Sequence, residues 1–194
     1  PSAVIHYTLD GSVPTNEAGA ASPTYSAPIT INTSVMVRAK AFLPGTIDGT
    51  GRSEGYMKLD ASQVNFSSDL PIVLVSKFSA GDPPGANSAV RVPGFMLIYE
   101  PDPLTGRTTL TGEPALGTRC GYRKRGSSSG GFDKYAMALE SWDESDEDVD
   151  IRPLGFSAEG DWILNSRFQF DQSLIRNPFL YELSNQVGRW AVKT

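Results

Sequence analysis

The sequence predicts a mainly β protein of the α+β class, and three observations support this. Its 194 residues are 39% hydrophobic and 20% charged and include 19 Gly and 14 Pro, the composition of an ordered, turn-rich chain. Short runs of alternating apolar and polar residues, separated by Pro, Gly and Asn, recur along most of the chain and indicate strands. One segment near the carboxyl end, at about 171–188, has helical spacing instead.

The first predicted strands lie in residues 1–58. The stretch AVIHYTLDG alternates in polarity and ends in a turn at Asp10 and Gly11. Two more strands are predicted, one around Ile29 and Ile31 and one over 35–41. Short strands with turns at this spacing are typical of an immunoglobulin-like β-sandwich.

These same residues carry a resemblance to a known module. IHYTLDGSVPT, SPTYSAPITI and VMVRAKAFLPG together resemble the small Ig-like β-sandwich appended to chitobiase and β-hexosaminidase enzymes and to many bacterial surface proteins. The resemblance implies a spacer or accessory module with no activity of its own. An additional strand usually precedes this point in such modules, so we expect a fragment with an open sheet edge, through which the chain could self-assemble.

The middle of the chain is predicted to be a linker followed by a β-rich domain. Residues 59–69 are polar and form the linker, and the domain covers 70–118. The run from Ile72 to Val75 is continuously apolar, which predicts a strand in the centre of a sheet. FMLIYEPD predicts a second strand in this domain.

Charge and reactive residues exclude several classes of function. The net charge of -5 and pI of about 4.9 argue against a general nucleic-acid binder. His6 is the only histidine and Cys120 the only cysteine, which excludes an intrachain disulfide, a Ser-His-Asp triad and a Cys/His zinc site. No apolar run approaches the roughly 20 residues of a membrane span, and no signal peptide is visible.

The stretch GYRKRGSSSGGFDKYAMALESWDE, residues 121–144, predicts a strand, a Gly/Ser loop and a second strand. Such a hairpin can cradle a phosphate, with Lys134 on the following strand reaching it. It can equally be an ordinary hairpin with a flexible tip, and the residues alone favour this interpretation because no GxGxxG or Walker pattern is present. Four basic residues fall within seven positions here and suit a small anion: Arg119, Arg123, Lys124 and Arg125.

Two further segments follow the hairpin. The acidic run SWDESDEDVDIRP lacks the glycine and the final carboxylate of an EF-hand, so a solvated loop is predicted. In the helical segment, Asp171 is the predicted N-cap and Gly188 the stop. Pro178 implies a kink or a helix that begins near Asn177.

The order of these features resembles the CotH kinase-like family. The family pattern is an R-x-RG-x-SS hairpin, a lysine, a DW-x-L segment and a D-x-x-x-x-RN helix start. Here the resemblance covers about 70–194 and only the amino-terminal part of the family, with 119–194 as a truncated kinase-like small lobe. The matching residues are Arg123 to Ser128, Lys134, Asp161 to Leu164, and Asp171 to Asn177.

The resemblance implies a set of site residues. Lys134 would contact nucleotide phosphates, Glu182 would be its ion-pair partner, and Arg123 and Arg125 would line the phosphate side. ATP and Mg would act in the full-length protein. Family members carry their catalytic and metal-binding aspartates further along the chain, so no catalytic residue and no metal ligand is expected here.

The implied parent is a bacterial secreted or cell-surface protein kinase that phosphorylates a protein substrate, and this chain alone would be inactive. Two alternatives stay open. One is a structural or adhesive filament protein that contacts a neighbouring surface protein and uses the kinase-like fold as scaffold. The other is a carbohydrate-associated accessory module. No nucleic-acid partner is expected, and no membrane span is expected in the chain.

Overall fold

The computed structural model describes residues 2–78, 81–85, 88–166 and 168–192. Strands account for 33% of the chain and helix for 10%, which confirms the mainly β prediction with one main helix. Within the described ranges the strands form a three-stranded, a five-stranded and a two-stranded sheet.

The amino-terminal sheet is antiparallel and contains β1 (Val4–Thr8), β2 (Val35–Phe42) and β3 (Arg52–Tyr56), in that order. The chain returns along the outer edge of β1. There, Tyr25 donates its N–H to the carbonyl of Ile5 at 2.8 Å, and Tyr7 donates to the carbonyl of Pro23 at 3.0 Å. The edge that the sequence predicted to be open is therefore occupied at these residues.

The strand predicted around Ile29 and Ile31 is absent from the structure, and that prediction was wrong. Both isoleucines are half-buried while Thr30 between them is exposed. The alternation in polarity thus correctly indicates which side chains are partly buried. A strand also needs a hydrogen-bonded neighbouring strand, which alternation does not predict.

The five-stranded sheet is antiparallel, with the order β10-β9-β8-β6-β5. The strands predicted on both sides of the Gly/Ser loop are confirmed as β8 and β9. A pair of two-residue strands, β4 and β7, lies outside this sheet. The bounds are β4 Ser67–Ser68, β5 Ile72–Ser76, β6 Val92–Tyr99, β7 Thr108–Thr109, β8 Leu116–Arg125, β9 Ala136–Trp142 and β10 Asp161–Leu164.

Strand β5 lies at the edge of this sheet, so the prediction of a central strand was wrong. Its apolar run has a different cause. Ile72 and Leu74 pack into one hydrophobic cluster, and Val73 and Val75 pack into another on the opposite face. A continuous apolar run reports burial on both faces, which an edge strand can also have.

The two faces of the five-stranded sheet support separate cores. We call the face that carries Phe95 and Leu97 the front face, and the one that carries Met96 and Ile98 the back face. On the front, Phe95 packs with Met36 of β2, so the amino-terminal sheet is the layer that covers it. The buried back-face cluster consists of Met96, Ile98, Cys120, Tyr122 and Leu139.

The helix α1 (Arg176–Gln186) begins five residues after Asp171. Pro178 lies in its first turn, as one of the two sequence interpretations required, and Gly188 follows its end with φ of +78°. None of the residues of α1 is buried. Across the described ranges, no helix has both the length and the apolar character needed to cross a bilayer.

Candidate phosphate-binding hairpin and adjoining cavity

The Gly/Ser loop connects β8 to β9 through a short 3-10 turn at Ser128–Gly131. Gly126 opens the loop with φ of +96°, and a side chain at this position would collide with the hydroxyl of Ser129. At the far end, the ring of Phe132 packs edge-on against Phe170, with 5.5 Å between the ring centroids. The tip is therefore attached to the segment that leads into α1.

Lys134 lies exposed between this tip and the start of β9. Its ammonium is 5.9 Å from the ring centroid of Phe168. Its carbonyl accepts a hydrogen bond from the hydroxyl of Ser166 at 3.0 Å. These contacts place Lys134 beside the segment before α1.

Arg123 and Arg125 lie on the front face of β8, where they pair with Ala138 and Ala136 of β9. Arg123 is half-buried and Arg125 is exposed. Lys124 between them points to the back face, with its ammonium 4.8 Å from the ring centroid of Tyr135. The basic cluster is thus divided between the two faces of the sheet.

Glu182 lies on the exposed helix α1 and is not brought to Lys134. Its carboxylate accepts a hydrogen bond from the side-chain amide of Gln186 at 3.0 Å. Within the part of the chain that the structure describes, none of the ion pairs joins Glu182 to Lys134. The structure therefore gathers Arg123, Arg125 and Lys134 at the hairpin but leaves Glu182 apart.

An apolar cavity of about 660 Å³ opens on the back face. Its floor is formed by Val73, Met96 and Ile98 of the sheet. One wall holds Phe156 and Trp162, whose ring centroids are 6.0 Å apart. Polar groups line it only towards α1, and these are Asn165, Asp171, Arg176 and Asn177.

The carboxylate of Asp171 forms hydrogen bonds at the entry to α1. It accepts from the hydroxyl of Ser173 at 2.6 Å and from the N–H of Arg176 at 2.9 Å. The Ser173 hydroxyl, followed by the Arg176 N–H, lowers the pKa of Asp171. The prediction of Asp171 as the N-cap was wrong, because Ile175 occupies that position. Asp171 instead accepts a hydrogen bond from the N–H of the first helical residue, from its place in the preceding turn.

A second charged group lies on the front face and was missed by the sequence analysis. Arg91 contacts Glu140 at 2.7 Å and Asp161 at 3.1 Å. The indole N–H of Trp142 donates to Glu140 at 2.7 Å. Arg91 lies just before β6, Glu140 and Trp142 lie on β9, and Asp161 begins β10. Arg91 and Asp161 are 70 positions apart in sequence, so no local spacing could have grouped them.

The acidic run contains the other missed residues. Glu144 accepts a hydrogen bond from the hydroxyl of Ser53 at 2.6 Å, and its backbone carbonyl accepts one from Arg38 at 2.6 Å. Asp146 forms an ion pair with Arg119. The prediction of a solvated loop was therefore wrong for Glu144, which is half-buried, although most of its neighbours are exposed.

The described residues contain no group of three or more His, Cys, Asp or Glu side chains that could hold a metal ion. Cys120 is buried in the back-face cluster, and this burial raises the pKa of its thiol to about 12. A thiol with so high a pKa is a poor nucleophile and a poor metal ligand at neutral pH.

The Gly/Ser hairpin, the lysine after it, the DW-x-L strand β10 and the helix α1 follow one another in the order of the pattern that the sequence resembles. Comparison with family models is more specific. Residues 122–194 match the CotH kinase protein family, and residues 1–56 match the Fn3 associated family. The chain therefore carries a CotH-like region preceded by an Ig-like, Fn3-associated module, as the sequence predicted. Neither the curated proteins nor the solved structures gave a match.

Proposed function

We propose that the CotH-like region binds the phosphates of ATP at the hairpin and that it serves a bacterial secreted or cell-surface protein kinase. The observation that carries this is the family match at 122–194, together with the position of Lys134 directly after the Gly/Ser loop. Neither family match favours the structural or the carbohydrate-binding alternative.

In this proposal Lys134 is the principal phosphate contact. It is exposed, so its ammonium is accessible to a triphosphate. Arg123 and Arg125 add two guanidinium groups, which suit bidentate binding of phosphate oxygens. The proposed pairing of Lys134 with Glu182 requires α1 to move, and the helix has no buried residue that would resist this.

Magnesium would supply the charge neutralisation that phosphoryl transfer requires, but the described residues do not fit it. They offer no cluster of carboxylates that could hold a metal ion. The resemblance places the metal-binding aspartates of such kinases in a larger lobe. We therefore expect this chain to bind a nucleotide weakly and to incorporate no phosphate from radiolabelled ATP.

The structure distinguishes two placements for the nucleotide. Arg123 and Arg125 are on the front face, whereas the apolar cavity is on the back face. In the first placement the phosphates would meet both arginines on the front face, and in the second the base would occupy the cavity on the back face. Lys134 lies at the boundary, because the loop that carries it contacts Phe170, which lines the cavity.

Titration of the chain with ATP tests the proposal. Lys134→Ala should weaken binding by about tenfold, the effect of losing one charge-assisted hydrogen bond. Lys58→Ala, which removes an exposed lysine of the amino-terminal part, is the control and should change nothing. Weakening by Arg125→Ala would assign the phosphates to the front face. Equal affinity of the Lys134→Ala and wild-type chains would refute the proposal.

A further inference from the structure

We propose that the loop Asp143–Asp148, which we call the acidic latch, fixes the Fn3-associated module on the front face of the five-stranded sheet. The module would then be a structural layer of the CotH-like region and not a freely moving spacer. This inference goes beyond the proposed nucleotide binding and does not depend on it.

Two buried arginines carry the argument, one from each side of the contact. Arg38 belongs to the module and is 3% exposed, and Arg119 belongs to β8 and is 5% exposed. Arg38 donates to the carbonyl of Glu144 at 2.6 Å and lies 3.5 Å from its carboxylate. Arg119 donates to the carbonyl of Asp143 and to the carboxylate of Asp146. Both guanidinium groups therefore form hydrogen bonds and ion pairs with the acidic latch.

Charge explains why the latch has to be acidic. Burial, followed by repulsion from Arg119, lowers the pKa of Arg38, while Glu144 and Asp146 act in the opposite direction. Two buried cations on neighbouring layers are unfavourable unless carboxylates accompany them. Because one loop supplies both carboxylates, its departure would leave both arginines uncompensated.

Packing at the contact is close enough to require specific residues. The hydroxyl of Ser53, on β3, donates to the carboxylate of Glu144 at 2.6 Å. On the same strand, a Cβ added to Gly55 would lie 2.5 Å from the ring of Phe95. Met36 of β2 shares the front-face core with Phe95. The module thus contributes hydrogen bonds, a glycine contact and a core residue to one continuous interface.

The position of the latch gives the contact a consequence for the hairpin. The latch follows Trp142, the last residue of β9, and the Gly/Ser loop precedes the first residue of the same strand. The module thus holds the carboxyl end of β9, and Lys134 lies just before the amino end of the same strand.

Removal of one charge at a time in the full chain tests the latch. Glu144→Gln keeps the shape of the side chain and removes the charge that faces Arg38. Asp146→Asn does the same at Arg119 and tolerates the φ of +65° that Asp146 adopts. Glu147→Gln is the matched control, because Glu147 is an exposed residue of the same loop that takes part in none of the ion pairs seen among described residues.

We expect Glu144→Gln and Asp146→Asn to lower the Tm by about 5 °C or more, and Glu147→Gln to leave it unchanged. Amide hydrogen exchange should rise in β2 and β3 of the amino-terminal sheet, while β10, at the edge of the five-stranded sheet, keeps its protection. Equal Tm values for Glu144→Gln and Glu147→Gln would overturn the proposal. A uniform rise in exchange along the whole chain would overturn it as well, since that indicates general destabilisation.

Discussion

Gly121 allows one of the largest side chains of the protein to lie flat against the sheet. A Cβ at this position would overlap the indole ring of Trp142, which lies beside it on the neighbouring strand. The indole N–H is thereby directed to Glu140, which also binds Arg91. The absence of a side chain at Gly121 thus sets the geometry of the front-face charged group.

Replacement of Gly121 by alanine should destabilise the protein by about 1–3 kcal/mol, because the indole ring must move. Denaturant unfolding followed by circular dichroism measures this. Gly131→Ala is the control, because nothing lies within 4 Å of a Cβ there and φ is not positive. Equal stability of the two variants would show that Trp142 does not depend on Gly121.

Individual residues were predicted with uneven success. Lys134, Arg123 and Arg125 could be named because the hairpin pattern is local in sequence. Arg119 was assigned to a small-anion cluster, which was wrong, because it is buried and pairs with Asp146. Arg38 was not named, because a charged residue in an alternating strand ordinarily faces solvent. Their burial depends on carboxylates more than 20 and 100 positions away, as the separations of 27 and 106 residues show.

At the scale of elements, the helix was predicted near 171–188 and observed at Arg176–Gln186. The residues between Asp171 and Arg176 form a turn in which Leu174 has φ of +58°. Apolar spacing locates a helix but not its first residue. The apolar side chains that created the spacing are exposed here, including Phe179 at 63% and Leu180 at 57%.

Asp171 should control where α1 begins. Its lowered pKa means that the carboxylate stabilises the folded state above its ordinary pKa of 3.8, and that this contribution is lost as the pH falls through the folded pKa. Asp171→Ala should therefore reduce the protection of the first α1 amides against hydrogen exchange at pH 6.

The wild-type chain should approach the same low protection as the pH falls through the lowered pKa of Asp171, after correction for the intrinsic exchange rate. Asp69→Ala, which removes an exposed aspartate far from the helix in sequence, serves as a control. Full protection of the Arg176 amide in Asp171→Ala would show that the carboxylate does not hold the helix start.

The strands show what alternation can and cannot predict. It located β1, β2 and β9, and β8 was located together with β9 as the two arms of the hairpin. Alternation failed at Ile29 and Ile31, which have no strand neighbour, and the continuous apolar run of β5 did not give its position within the sheet. Strand order depends on contacts between distant segments, which a local pattern does not contain.

At the scale of the whole molecule, the sequence described a series of units at 1–58, 59–69, 70–118 and 119–194, and these boundaries stay predictions. The structure stacks the first of them on the others. Strand β3 packs against β6 and β8, and Arg38 reaches the acidic latch beyond β9. Composition could not reveal this stacking, because the contact combines a shared hydrophobic core with Gly55 and two buried arginines, and these residues are far apart in sequence.

The central claim is that the hairpin binds nucleotide phosphates. Its most direct test is the change in backbone amide chemical shifts when ATP is added to the isotope-labelled chain. We predict shift changes concentrated in residues 123–134, with those of β1, β2 and β3 unchanged. Changes confined to the amino-terminal sheet, or no change at millimolar ATP, would contradict the claim.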